Sequence, residues 1–185
     1  MSSHGVLFRA ISGLLAIGET ATAMEREGDF HASVQLDGHR AGVSEVWASA
    51  SLGCWEVWTP EYKERRVFNP IDGLLITEGR RREEYPNPPG RRHPVPAPAK
   101  FAFPLSLPIW GRSPIDEWSM SDAEESEAGT VVKLIGLRDR ELTARLQLDV
   151  AGAPVSLETP GGHLAILTKQ PLMDLSRFWW RQPAK

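Results

Sequence analysis

Residues 142–168, LTARLQLDVAGAPVSLETPGGHLAILT, decide the fold class. Leu142, Ala144, Leu146, Leu148 and Val150 alternate with Thr143, Arg145, Gln147 and Asp149. Apolar residues at every second position line one face of a β-strand. Ala151-Gly152-Ala153-Pro154 then breaks the run and leads into a strand from Val155 to Thr159. Pro160-Gly161-Gly162 breaks it again before His163 to Thr168. Strands joined by turns this tight pair antiparallel, because parallel pairing needs a long crossover.

The same period runs upstream. Phe30, Ala32, Val34 and Leu36 alternate with His31, Ser33 and Gln35, and Asp37-Gly38 is a turn pair. Further strands are expected at Val43–Ser49, Cys54–Trp58, Tyr62–Phe68 and Leu74–Glu78, the last after Asp72-Gly73 and with a polar continuation toward Glu84. Glu117–Ser121 and Thr130–Ile135 are short candidates in the last third. Ahead of all of these, Leu7, Ile11, Leu14, Leu15 and Ala21 recur at helical spacing, predicting an amphipathic helix from about Val6 to Arg26 with Gly28 as its stop.

Between the two β regions, Pro86 to Pro108 holds eight prolines. Proline has no amide to donate to a sheet, so this stretch reads as an extended surface loop with a short helix near Leu105 to Trp110. The expected architecture is α+β and mainly β. One helix is followed by about five strands, the proline-rich excursion over residues 86–108, about four more strands, and an aromatic tail over 171–185. A sheet of some nine strands must curl or close. The expectation is therefore a curved, nearly closed antiparallel half-barrel whose concave face the N-terminal helix covers.

Length and charge narrow the function classes. The 185 residues suit a single domain with its own core. A net charge of -3 argues against a duplex-binding protein, which needs a basic excess. Cys54 is the single cysteine, so neither an internal disulfide nor a cysteine zinc site can form. The five histidines, 4, 31, 39, 93 and 163, have no metal-ligand spacing, and no phosphate loop or nucleophile elbow is present. No stretch reaches the roughly 20 apolar residues of a membrane span. Ala10–Gly18 followed by Ala21-Thr22-Ala23 imitates a secretory signal, but Glu19, Gly13 and Gly18 interrupt it, and a cytoplasmic location is expected. No enzyme activity, cofactor or metal is expected.

Several segments together resemble the LolA-like lipoprotein-carrier superfamily. These are the helix running into Asp29-Phe30-His31-Ala32-Ser33-Val34, the tryptophan strands Val46-Trp47 and Trp55-Glu56-Val57, Arg65-Arg66-Val67-Phe68 before Asp72-Gly73, and the hairpin from Leu146 to Pro154. The resemblance covers about residues 5–170 as a pattern. Three features depart from it: family carriers are exported whereas no convincing export signal is read here, Ser49-Ala50-Ser51 replaces a proline, and the proline-rich stretch occupies the middle of the sheet. The resemblance implies a cavity between sheet and helix that holds an acyl chain.

The leading expectation is a non-enzymatic binding or carrier protein for an apolar ligand, a lipid or acyl chain. Leu14, Trp47, Trp55 and Trp118 would line the cavity, and Arg65 or Arg66 would hold a head group. Trp55 and Trp58, three apart in one strand, face opposite sides. The alternative is a protein-interaction or regulatory domain whose interior is filled by side chains, with the proline-rich loop or the tail around Trp179-Trp180 as its contact. In that tail, a membrane-surface anchor weighs against a segment folded back on the sheet edge. The Arg80-Arg81-Arg82 and Arg91-Arg92-His93 clusters read as solvated charge, with Glu83 and Glu84 close by.

Overall fold

A computed structural model of the chain describes residues 5, 7, 8, 11, 29–38, 41–86, 95–103, 106–109 and 117–181. Among the described residues, eleven strands form one antiparallel sheet that does not close. In chain order they are β1 (Phe30–Leu36), β2 (Gly42–Ser49), β3 (Cys54–Thr59), β4 (Glu64–Asn69), β5 (Gly73–Glu78), β6 (Arg81–Tyr85), β7 (Trp118–Ser126), β8 (Gly129–Gly136), β9 (Thr143–Leu148), β10 (Pro154–Thr159) and β11 (Gly162–Pro171). Across the sheet the order is β6-β5-β4-β3-β2-β1-β11-β10-β9-β8-β7. The first six strands meander outward from the centre and the last five return to it. The one long-range pairing, β1 with β11, joins the halves through Phe30↔Pro171 to Leu36↔Leu164.

The antiparallel meander agrees with the turn-by-turn reading, and the period-two pattern identifies the buried face. On β1, Phe30, Ala32 and Val34 are buried, while His31, Ser33 and Gln35 point the other way. The β1–β2 register places Ala48, Val46 and Ser44 beside them, and β2–β3 adds Trp55 and Val57. On the other half, Leu146 and Leu148 of β9 continue the same face with Val132 and Leu134 of β8. We call this the core face and the opposite one the outer face.

The strand count differs from the expected nine. β6 is a strand of its own, because Gly79 takes a positive φ (56°) and turns the chain between Glu78 and Arg81. Its run of charge, Arg81-Arg82-Glu83-Glu84, hid it from a hydrophobic pattern, and charge of this kind suits an exposed edge strand.

The proline-rich stretch also differs from the surface loop expected. Ala97–Ala102 forms a 3₁₀ segment packed on β1, β2 and β3. Ala99, Phe101, Ala102, Leu107 and Ile109 are buried in the same cluster as the core face of the sheet. Proline is barred from a sheet ladder but not from packing on one, and apolar residues between the prolines supply the contact. Of the expected N-terminal helix, Gly5, Leu7, Phe8 and Ile11 are described and are helical, and Leu7 packs against the core. The rest of it, Leu14 included, lies outside the described residues, as do 91–93 and Trp110. Among the described residues no helix is long and apolar enough to cross a membrane.

Candidate functional site

The sheet carries two built features, one on each face. On the core face, Glu64, Arg66, Ile76, Glu78, Arg81 and Glu83 line a pocket of about 210 Å3. Register puts all six on β4, β5 and β6 with their side chains on one side: Arg66 opposite Ile76, Ile76 opposite Glu83, and Glu78 opposite Arg81. Arg66 forks onto Glu64 through Nε (2.8 Å) and Nη2 (3.0 Å). Arg81 pairs with Glu83, and Tyr85 Oη donates to Glu83 (2.5 Å). Hydrogen bonds from Tyr85 and Arg81 hold the Glu83 carboxyl below its ordinary value. The pocket adjoins an apolar strip, Phe68 and Leu74, that the proline-rich cover leaves half-buried.

On the outer face, the C-terminal segment folds back over β3 and β4. Phe178, in the 3₁₀ turn Ser176–Phe178, is fully buried there. The buried outer-face residues Cys54, Val67, Leu75 and Asn69 come from β3, β4 and β5, and Asn69 Nδ2 donates to the Phe178 carbonyl (2.7 Å). Glu56, at 3% exposure, accepts from two guanidinium groups. Arg177 reaches it through Nε (3.0 Å) and Nη2 (3.1 Å), and Arg65 through Nε (2.9 Å) and Nη2 (3.3 Å). Burial alone would push the Glu56 carboxyl up. The hydrogen bonds and charges of Arg177 and Arg65 outweigh it and hold the group below the usual carboxylate value.

Trp47 is packed between two neighbours on this face. His31 stacks on it at 4.6 Å with rings 5° apart, and the Arg177 guanidinium lies 3.6 Å from its centroid. Glu45 accepts from Ser33 Oγ (2.7 Å) and lies 2.5 Å from His31 Nε2, while Gln170 Nε2 meets His31 Nδ1 at 2.8 Å. The group ties β1, β2, β3, β4, β11 and the tail together. Its polar atoms are engaged with one another, which makes it a clamp.

The five residues proposed to line a ligand site divide between the faces. Trp55 (2% exposed) and Trp118 (6%) are on the core face. Trp55 packs against Phe68 at 5.7 Å, and the Trp118 indole nitrogen is buried with no hydrogen-bond partner among the described residues. Trp47 and Arg65 are on the outer face in the clamp around Glu56. Leu14 lies outside the described residues. Trp58 is on the face opposite Trp55, beside Arg65 and Glu45. Arg66, offered beside Arg65 for a head group, lines the core-face pocket. Nothing in the sequence pattern singles out Arg177 as the partner of Glu56, although a carboxylate inside the apolar run Cys54–Trp58 signals a charge that needs one. Among the described residues no group of histidine, cysteine or carboxylate side chains is placed to hold a metal ion.

No family model and no curated protein matches the sequence. Among solved structures, the chain is similar to an uncharacterized conserved protein from Thermus thermophilus, with 12% identity and a TM-score of 0.53 over 98% of this chain and 95% of that one. At that identity the likeness is one of fold.

Proposed function

We propose that the protein is a non-enzymatic binding or carrier module for an apolar ligand, a lipid or acyl chain, held against the core face of the sheet. One observation carries the reading. Among the described residues, 95–103 and 106–109 cover the apolar face, and beyond that cover Phe68, Leu74 and Ile76 stay half-buried and run into the pocket that holds Arg66. An acyl chain on the strip would gain about 0.8 kcal/mol per buried methylene. Its head group would lie by Arg66 and Arg81, among the pocket's carboxylates.

A half-barrel of the LolA-like kind belongs to this proposal, and two contacts support curling. Residues 97–102 pack on β2, while the Pro108 carbonyl accepts the amides of Glu117 and Trp118 at the start of β7, both at 3.0 Å. Six strand spacings separate β2 from β7, about 29 Å in a flat sheet. Residues 103–108 reach at most about 18 Å. Curling that brings β7 toward the cover relieves the difference.

A second reading is favoured by a different observation. Ala99, Leu107 and Ile109 are 0–1% exposed, so the cover itself fills the interior it closes. The domain would then be a protein-interaction or regulatory module. Native mass spectrometry of the purified protein, with lipid extraction of the same sample, separates the two. A near-stoichiometric lipid is expected under the first. A bare mass, with no change in tryptophan fluorescence on titrating fatty acids or lysolipids, would sink it in favour of the second.

A further inference from the structure

On the core face of β4, β5 and β6, polarity changes row by row. Register sets Arg81, Glu78 and Glu64 side by side in one row, and Glu83, Ile76 and Arg66 in the next. These two rows line the pocket of about 210 Å3. Tyr85, Leu74 and Phe68 form a third row, which continues into Trp55 on β3 and so into the buried core. The rows of Glu64 and Phe68 lie about 13 Å apart at the rise of an antiparallel strand. An amphiphile laid along these strands meets charge at one end and apolar surface at the other.

The charge at that end is unequal. Three carboxylates and two guanidinium groups line the pocket. Both guanidinium groups are committed: Arg66 forks onto Glu64, and Arg81 pairs with Glu83, which also accepts from Tyr85 Oη. Glu78 is the carboxylate left over. Among the described residues its side chain makes no hydrogen bond or ion pair. It stands directly opposite Glu64 across the β4–β5 ladder, a like-charge pairing that costs stability. Lys63 and Arg80, in the flanking turns, neither line the pocket nor pair with Glu78. An anionic head group would deepen the imbalance, and a cation between Glu78 and Glu64 removes it.

Hydrogen-bond donors decide the kind of cation. A primary ammonium carries three N–H donors for carboxylate oxygens. A quaternary ammonium carries none and is held by aromatic faces, and the six residues that line this pocket include no aromatic ring. We infer that the pocket takes the primary ammonium of a long-chain amine between Glu78 and Glu64, with the chain running past Ile76 to Leu74 and Phe68. The inference rests on the carrier reading above and names the head-group chemistry of its ligand.

The test is a submicellar tryptophan-fluorescence titration of the full chain with dodecylamine, dodecyltrimethylammonium and dodecanoate, which share one chain length and differ in the head. Dodecylamine is expected to bind about tenfold more tightly than the trimethyl analogue, which carries the same charge, with dodecanoate weaker still. Glu78→Gln, at an exposed position that leaves the core intact, is expected to abolish the difference between the two cations. Free ethanolamine, an ammonium without a chain, is expected not to displace dodecylamine. Equal binding of the two cations, tighter binding of dodecanoate, or an unchanged preference in Glu78→Gln would overturn the inference and leave the carrier reading standing. Displacement by ethanolamine would overturn it in favour of a small-amine site. Binding of none of the three amphiphiles would overturn the carrier reading and this inference with it.

Discussion

A carboxylate at 3% exposure survives in a β-strand when its charge is answered from both sides, and Glu56 meets Arg65 from β4 and Arg177 from the tail. Both arginines still reach water, which makes the arrangement cheaper than a pair sealed in the core. Glu56→Gln keeps the shape and removes the charge. It is expected to lower stability by about 2–3 kcal/mol, read as a shift in the urea midpoint with an unchanged slope. Because the folded-state value of Glu56 is depressed, its contribution is fully present above the unfolded value, about 4.3, and is lost as pH falls through the lower folded value. The wild type should therefore lose stability on acidification below about pH 4, and Glu56→Gln should lose less over the same range. An identical acid profile for the two proteins would show that Glu56 does not hold the tail.

The tail is the element whose docking is easiest to follow, because the chain's single thiol sits on the face it covers. Burial, and then the charge of Asp29, push the Cys54 thiol up to about 11. Little reactive thiolate is present near neutrality while the tail is docked. Phe178→Ala removes the side chain that fills the outer-face cluster. We expect it to speed labelling of Cys54 at pH 8 by about tenfold or more, with far-UV circular dichroism unchanged, because the sheet does not depend on the tail for its ladders. Unchanged labelling would mean that Cys54 is shielded by its own strands. The same element carries Trp179, so docking of the tail also sets where that ring stands.

Across the whole molecule, one buried cluster runs from Trp55 on β3 through β1 and β11 to Trp118 on β7, and the proline-rich cover belongs to it. The two meanders therefore share one core on that face, and a single cooperative transition is expected. Tryptophan fluorescence and circular dichroism should coincide through unfolding. Leu146→Ala, at 0% exposure on β9, should shift both probes together by about 2–5 kcal/mol. Two separated transitions would show that the halves fold independently.

Much of this was legible along the chain. Alternation at Phe30–Leu36 and Ala144–Leu148 placed strands and their buried faces, whereas Leu142 and Val150, which continue the second pattern, stand exposed outside β9. The turns at Asp72-Gly73 and Pro160-Gly161-Gly162 dictated antiparallel neighbours. These are contacts between residues close in sequence, where chain geometry leaves few choices. The charged edge strand β6 escaped because its neighbours, and not its own hydrophobicity, make it a strand. Of the candidate site, the apolar burial of Trp55 and Trp118 could be anticipated, since residue type says that much, while the choice between Arg65 and Arg66 could not. The placement of Trp47 and Arg65 on the other face, the pairing of Glu56 with a residue 121 positions away, the joining of the two halves through β1 and β11, and the burial of a proline-rich segment could not. Alternation tells which residues of one strand share a side. Which side becomes the core, and what comes to cover it, depends on long-range packing that no local pattern encodes.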